Sequence, residues 1–243
     1  MARPGDGGGG GGGQTPLTAW AHAFVADLVA PRLSAGDHHH LARVLRLPPG
    51  SPVTVGDGCG RWRPGRLTAG PEVEPAGEVV AEPRPAPALT VAFALAKGDR
   101  PELTVQKLTE LGVDRIVPFA AERSVVRWDA AKAGRQATRL AEVAHHAAMQ
   151  CRRTWLPAVE PLAAFADVAA LPGAAMADMV GEPPSLARPT VLVGPEGGWS
   201  ARERSASLPR VRMASSVLRA ETAAITIGAL LGALRSGLVV EAC

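Results

Sequence analysis

Three short segments hold the residues whose types and spacing could do chemistry. In the first, Thr190-Val191-Leu192-Val193 runs into Gly194-Pro195-Glu196-Gly197-Gly198-Trp199-Ser200. An apolar strand, a glycine-rich bend and a helix start together let backbone approach a ligand closely, at the carboxyl end of a strand. Ser200 and Glu203 have the S-x-x-E spacing of a capping box, which marks the helix start. The bend lacks the Lys-Ser/Thr of a phosphate-binding loop and the G-x-G-x-x-G of a dinucleotide site. Glu196 would also repel a phosphate. The bend therefore suits a ligand that is cationic or is read by main-chain groups. A tight structural turn with a capped helix fits the same residues.

The second segment is Met213-Ala214-Ser215-Ser216-Val217-Leu218-Arg219-Ala220-Glu221-Thr222, a polar loop of small residues leading into a closing helix. Arg219 could hold an anion or a developing oxyanion. Glu221 is favourable near the helix N-terminus. An ordinary surface pair of Arg219 with Glu221 is the plainer alternative. The third is Glu122-Arg123-Ser124-Val125-Val126-Arg127-Trp128, after a strand ending at Phe119. Two Arg and a Trp could bind a nucleotide by phosphate contact and stacking. A solvated loop with Trp128 packed on a helix would look the same. The run His38-His39-His40 has no acidic or Cys partner at ligand spacing, so no metal is expected. No Ser-His-Asp or Cys-His pattern supports covalent hydrolysis.

The elements that must position these residues fall into two regions. From Leu17 to Glu82, short segments are broken by Gly and Pro: Val53-Thr54-Val55, the turn Asp57-Gly58, Arg61-Trp62-Arg63, Arg66-Leu67-Thr68 and Glu78-Val79-Val80. This rhythm predicts a small β-rich domain or barrel. One helix is expected inside it, capped by Asp37, with His40, Arg43 and Arg46 recurring at helical spacing. The Pro-rich stretch from Glu82 to Pro87 reads as a linker. Beyond it, strands at 89–95, 116–119, 174–177 and 190–193 alternate with helices at Pro101 to Gly112, Ala130 to Gln150 and Thr222 to Arg235. Strand–helix alternation predicts an α/β domain with a mostly parallel sheet.

Composition narrows the class. The 243 residues are 47% hydrophobic and 20% charged, which excludes wholesale disorder. The net charge of +3 permits a nucleic-acid partner without demanding one. Only three of the 26 basic residues are lysine, with no Tyr and abundant Ala, Gly and Pro. That is the imprint of a GC-rich genome, so the arginine content is not itself an RNA signature. The longest apolar run, Ala223 to Leu234, spans 12 residues, against roughly 20 for a membrane helix, which predicts a soluble protein. The glycine run of residues 1–16 has no apolar core for a signal peptide and is expected to be a disordered tail. Three dispersed cysteines without a C-x-x-C spacing suit a reducing cytoplasm.

Taken in order, four places resemble one known family. They are His40-Leu41-Ala42-Arg43-Val44-Leu45-Arg46; Lys97-Gly98-Asp99 through Gln106-Lys107-Leu108-Thr109-Glu110-Leu111-Gly112-Val113 to Glu122-Arg123-Ser124; Gly194-Pro195-Glu196-Gly197-Gly198; and Val217-Leu218-Arg219-Ala220-Glu221-Thr222-Ala223. The chain resembles the bacterial 16S ribosomal RNA (uracil-N3) methyltransferases, the RsmE type of the SPOUT superfamily, from about residue 20 to its end. Met213-Ala214 stands where the family commonly has Leu-Gly, and Met149-Gln150 where it has Glu-Gln.

The resemblance implies a PUA-like RNA-binding barrel over residues 17–83, a linker over 84–88, and over 89–243 a SPOUT methyltransferase domain with a trefoil-knotted parallel sheet. It implies S-adenosylmethionine (SAM) as cofactor, held by Leu192, Gly194, Pro195, Glu196, Gly197, Gly198, Met213, Ser216 and Leu218. For that chemistry the catalytic residues are expected to be Arg219 or Arg123, stabilising the uracil anion at a carbonyl oxygen, and Glu221 or solvent, removing the N3 proton, with His40, Arg43, Arg46 and Arg127 as RNA contacts. The partners would be 16S rRNA of the small ribosomal subunit and a second copy of the chain, with neither metal nor membrane. Two other readings share these residues: a SPOUT methyltransferase acting on tRNA or a ribose 2′-hydroxyl, and a non-catalytic RNA-binding or ribosome-assembly protein.

Overall fold

The computed structural model of the chain describes residues 16–240, so nearly all of the glycine run lies outside the described residues. Two compact units emerge, one formed by residues up to 84 together with 148–156, the other by 85–147 and from 157 onward.

In the first unit, β1 (Ala21–Phe24) pairs in parallel with β2 (Pro52–Gly56) after an excursion through α1 (Ala35–His39) and a π-helical turn (His40–Val44). β2, β3 (Arg61–Leu67) and β4 (Val73–Pro75) then continue antiparallel, and β5 (Val80–Ala81) pairs on β3. The stretches around Arg61 and Arg66, which read as separate segments, form one seven-residue strand. Its core gathers Phe24, Leu33, Leu41, Val53, Val55 and Leu67 with Ala148 and Met149. Glu82 belongs to this unit rather than to a free linker. Its carboxylate accepts from Trp62 Nε1 at 2.9 Å and from Thr154 Oγ1 at 2.6 Å.

The helix around His40 departs from expectation in two ways. Ser34 is its N-cap, accepting the Asp37 N–H at 3.0 Å, while Asp37 is buried one turn in. The helix also widens into its π turn and stops at Val44, and Arg46 sits beyond it with φ of 53°. His40, Arg43 and Arg46 therefore do not form one stripe of an α-helix.

The second unit contains β6 (Thr90–Ala94), α2 (Arg100–Glu110), β7 (Arg115–Ala120), α3 (Ala130–Cys151), β8 (Ala158–Val159), β9 (Ala163–Ala164), α4 (Phe165–Ala169), β10 (Ala174–Glu182), β11 (Thr190–Val193), α5 (Ala201–Arg204), β12 (Arg210–Val211) and α6 (Ala220–Arg235). The last turn of α3 and the residues after it cluster with the first unit. The strands form a sheet in the order β12-β10-β11-β6-β7-β8, with β9 also on β7, and every pair is parallel. This is an α/β fold with a parallel sheet, as the alternation predicted.

β6 and β11 are buried along their whole length, as central parallel strands covered on both faces must be. Alternate residues divide between the faces. Val91, Phe93, Val191 and Val193 pack with Leu108, Ile227 and Leu231, whereas Ala92, Ala94 and Leu192 join Phe119, Met176 and Trp199. α2 starts with Pro101 in its first turn, where a missing N–H costs nothing. β8, β9, α4 and β12 escape the sequence reading because two to five residues hold too little pattern to register.

Candidate functional site

The glycine-rich bend leaves β11 at its carboxyl end and stops at Ser200, the N-cap of α5. The capping box forms: Ser200 Oγ accepts from the Glu203 N–H at 3.1 Å, and Glu203 accepts from the Ser200 N–H at 2.9 Å. Glu203 is buried, and its second oxygen accepts the Glu122 N–H at 2.9 Å. One carboxylate thus ties the bend to the loop after β7. Arg123 adds a second tie, donating from Nη1 to the Gly197 carbonyl at 3.3 Å.

Trp199 forms a floor under the bend. It stacks on Phe119 with ring centroids 6.1 Å apart, lies 5.8 Å from Phe165, and donates from Nε1 to the Ala177 carbonyl at 2.9 Å. The bend rests so closely on the indole that a Cβ at Gly194 would stand 2.9 Å from Trp199 Cε2. Gly198 has φ of 68°, where a side chain is strained.

Above this floor lies an open cleft of about 240 Å³, large enough for a small organic molecule rather than an ion. Gly194, Pro195, Glu196 and Gly198 line it from one loop, and Met213, Ala214, Ser216, Val217 and Leu218 from the other. Of the residues expected around a cofactor, only Leu192 and Gly197 do not line it. Leu192 is fully buried in the sheet, and Gly197 faces Arg123.

Both carboxylates on the cleft wall are already paired. Asp178 accepts from Arg210 at 2.7 Å and Arg204 at 3.1 Å. Glu196 accepts from Arg100 Nη1, and Arg100 Nε lies 3.6 Å from Glu221 Oε1. The Glu196 hydrogen bond, then the Glu221 charge, raise the Arg100 pKa further above its ordinary value. Glu196 is therefore not the bare carboxylate the sequence suggested. Its charge is shared with an arginine that no sequence pattern singled out, although Arg100 directly follows Lys97-Gly98-Asp99.

Arg219 is the N-cap of α6, exposed and without a side-chain capping bond. Glu221 sits in the first turn of the same helix. Its side chain is 13% exposed, and Oε2 has no hydrogen-bond partner. Arg127 is exposed and donates to the Glu122 carbonyl at 3.0 Å. Arg123, Arg219, Glu221 and the two loops lining the cleft all belong to the second unit, whereas His40, Arg43 and Arg46 belong to the first. Among the described residues, no group of three or more His, Cys, Asp and Glu could hold a metal ion, and no helix is long and apolar enough to cross a membrane.

Comparison with known proteins adds a family to this geometry. Residues 82–232 match the family described as RNA methyltransferase domain. The chain is 33% identical over 225 residues to the ribosomal RNA small subunit methyltransferase E of Mycobacterium tuberculosis, covering 81% of this chain and 84% of that one. The chain belongs to the methyltransferase E family. The Synechocystis protein of the same name is 28% identical over 223 residues, covering 83% of this chain and 72% of its own.

Two solved methyltransferase structures share the fold. The methyltransferase E of Neisseria gonorrhoeae, bound to S-adenosyl methionine, has a TM-score of 0.73 at 25% identity, covering 88% of this chain and 97% of its own. A Legionella pneumophila methyltransferase in complex with SAM has a TM-score of 0.73 at 25% identity, covering 87% and 96%.

Proposed function

We propose that the chain transfers the methyl group of SAM to N3 of a uridine in 16S rRNA of the small ribosomal subunit. The observation that carries this reading is the convergence of the 194–198 and 213–218 loops on one cleft, in a chain a third identical to a methyltransferase that acts on small-subunit rRNA.

The walls suit the cofactor. Trp199, Met213 and Leu218 offer apolar surface, and the 194–198 bend offers main-chain polar groups. The carboxylates of Glu196 and Asp178 favour a cation, while their arginine partners spare the free protein two unneutralised charges. When bound, SAM supplies an electrophilic methyl group on a cationic sulfur. Residues of the two loops would hold it, with Leu192 packed in the sheet behind them rather than against the ligand.

The chain's own groups must prepare the nucleophile. Uracil N3 carries a proton and lies on the pairing edge, so the base reacts only when unpaired or flipped out. Glu221 is the candidate base, because its Oε2 is unpartnered while Oε1 stays near Arg100. Arg219 is the candidate to stabilise the uracil anion at a carbonyl oxygen, helped by the positive end of α6. Arg123, anchored to the bend through Gly197, is the second candidate.

The finer architecture follows the same reading. Residues 17–83 form a PUA-like barrel contributing His40, Arg43 and Arg46 to RNA binding, 84–88 form a linker, and 89–243, apart from the 148–156 segment that clusters with the first unit, form a trefoil-knotted SPOUT domain contributing Arg127. The mixed five-stranded sheet and the all-parallel order of the second sheet support this assignment. The active protein is a homodimer of the cytoplasm. Met179 and Val217 border the cleft and stand 43% and 83% exposed, as apolar residues beside an active site shared between subunits would in a lone chain.

The test is to incubate small subunits from a strain lacking the gene with the protein and SAM, then map methylated nucleosides by mass spectrometry. One new 3-methyluridine in 16S rRNA is expected. Methylation confined to a ribose or another base, or no methylation, overturns the reading.

A further inference from the structure

A second hollow, of about 280 Å³, opens elsewhere in the methyltransferase unit. Its walls come from three places: the turn after β6, the segment after β7, and the first turns of α3. The residues that give it chemistry are Lys97, Trp128, Lys132 and Gln136. None of them lines the cleft between the two loops.

Charge is what sets this hollow apart. The chain has three lysines, and two of them meet here. The third, Lys107, is paired with Glu110 at 2.9 Å. Lys97 and Lys132 are exposed, and among the described residues neither ammonium pairs with a carboxylate. The adjacent acids are Asp99 and Asp129. Asp129 is engaged in starting α3, accepting the Lys132 backbone N–H at 2.7 Å. Two lysines lining one hollow without acid partners make it electropositive, which favours an anion there.

Beside the lysines is a flat aromatic surface. Trp128 is half-buried, packing partly on the core of the unit and partly lining the hollow. Gln136 adds an amide that can both donate and accept. Ammonium groups beside an indole suit a nucleotide, since the phosphate meets the charges and the base lies on the ring. A base paired in a duplex cannot reach the indole face, so the ligand is single-stranded.

We propose that this hollow binds a nucleotide of the RNA substrate outside the reacting uridine, its phosphate held by Lys97 and Lys132 and its base against Trp128. This rests on the reading of the protein as an rRNA methyltransferase. Its consequence is that the substrate is gripped in an unpaired stretch, which helps hold the target base out of a helix.

The test uses the full chain and in-vitro-transcribed 16S rRNA, measuring RNA affinity by filter binding as a function of salt, SAM affinity by calorimetry, and KM and kcat for methyl transfer. K97Q/K132Q is expected to weaken RNA binding about tenfold and to flatten the slope of log affinity against log salt, by about 0.7 for each single-strand phosphate no longer neutralised. Trp128→Leu is expected to weaken binding about five- to 150-fold, the range for losing one stacked base, with the salt slope unchanged. Both raise KM for RNA and leave SAM affinity and kcat near wild type, and K97R/K132R restores the salt slope.

Wild-type affinity and slope in K97Q/K132Q overturn the proposal, as does a loss confined to SAM affinity. The lysines are exposed, so that arm stands even where Trp128→Leu fails to fold. Filter binding needs no methyl transfer. A wild-type protein that binds this RNA but methylates neither it nor small subunits from a strain lacking the gene overturns the proposed function, while K97Q/K132Q still decides the hollow.

Discussion

Arg100 donates from Nη1 to the carboxylate of Glu196, 96 positions further along the chain, and so joins the start of α2 to the glycine-rich bend. The same guanidinium lies 3.6 Å from Glu221, which makes it the shared partner of a cleft-wall carboxylate and the candidate base. Removing either member of the pair changes the charge that a ligand meets. The cofactor carries a positive sulfur and its demethylated product a neutral one, so their affinity ratio reports that charge. Arg100→Met is expected to raise the ratio in favour of SAM about fivefold, and Glu196→Gln to lower it by a similar factor. Calorimetric titration with both compounds reads the ratio. An unchanged ratio in both variants means that Glu196 does not sense the sulfur.

Gly194 lies where a Cβ would meet Trp199 at 2.9 Å, and the indole is held by Phe119, Phe165 and the Ala177 carbonyl. Gly194→Ala must move either the bend or a packed ring. A loss of about 1–3 kcal/mol in unfolding free energy is expected, with SAM affinity at least tenfold weaker. Urea denaturation and calorimetry check the two effects. Full affinity would show that the bend tolerates displacement and that its close seat on Trp199 is not used for binding.

Asp114 and Arg235 form a buried pair with side chains 5% and 11% exposed. Asp114 also accepts the Leu89 N–H at 2.8 Å, and Arg235 donates to the Gly112 carbonyl at 2.6 Å. The pair clamps the end of α6 to the turn before β7. Asp114→Ala leaves a buried guanidinium without its counter-charge, and a destabilisation of about 3–5 kcal/mol is expected. Denaturant unfolding monitored by circular dichroism measures it. A change below about 1 kcal/mol would mean that water replaces the carboxylate.

Arg219 presents the opposite case. It is exposed and caps α6 without a side-chain bond, so Arg219→Ala is expected to change stability by no more than about 0.5 kcal/mol. Turnover on 16S rRNA is expected to fall about a hundredfold, the scale for removing one donor to a developing oxyanion, with SAM affinity unchanged. Wild-type turnover would remove Arg219 from the mechanism and leave Arg123 as the remaining candidate.

The parts of the site that were legible in the sequence are those whose signal is local. The run Thr190–Val193 followed by glycines announces a strand end and a tight bend, and Ser200 with Glu203 announces the helix beyond it, because each motif is completed within a few residues. The long helix and the closing helix carry enough apolar periodicity to be read to within a few residues of their ends. The family motifs are likewise contiguous, so they survive without coordinates.

What only the tertiary structure decided are relationships between residues distant in sequence. Nothing near Arg100 points to Glu196 or Glu221, and nothing near Lys97 points to Trp128 and Lys132. Nor does Leu192, the central apolar residue of an obvious strand, reveal which sheet face it serves until the neighbouring strands are in register. The face of a strand residue depends on pairing, and the state of a charged group depends on which charges the fold brings beside it. Chain order specifies the chemistry available to this protein, while the packing of β6, β7 and β11 with α2 and α6 determines which of those groups meet.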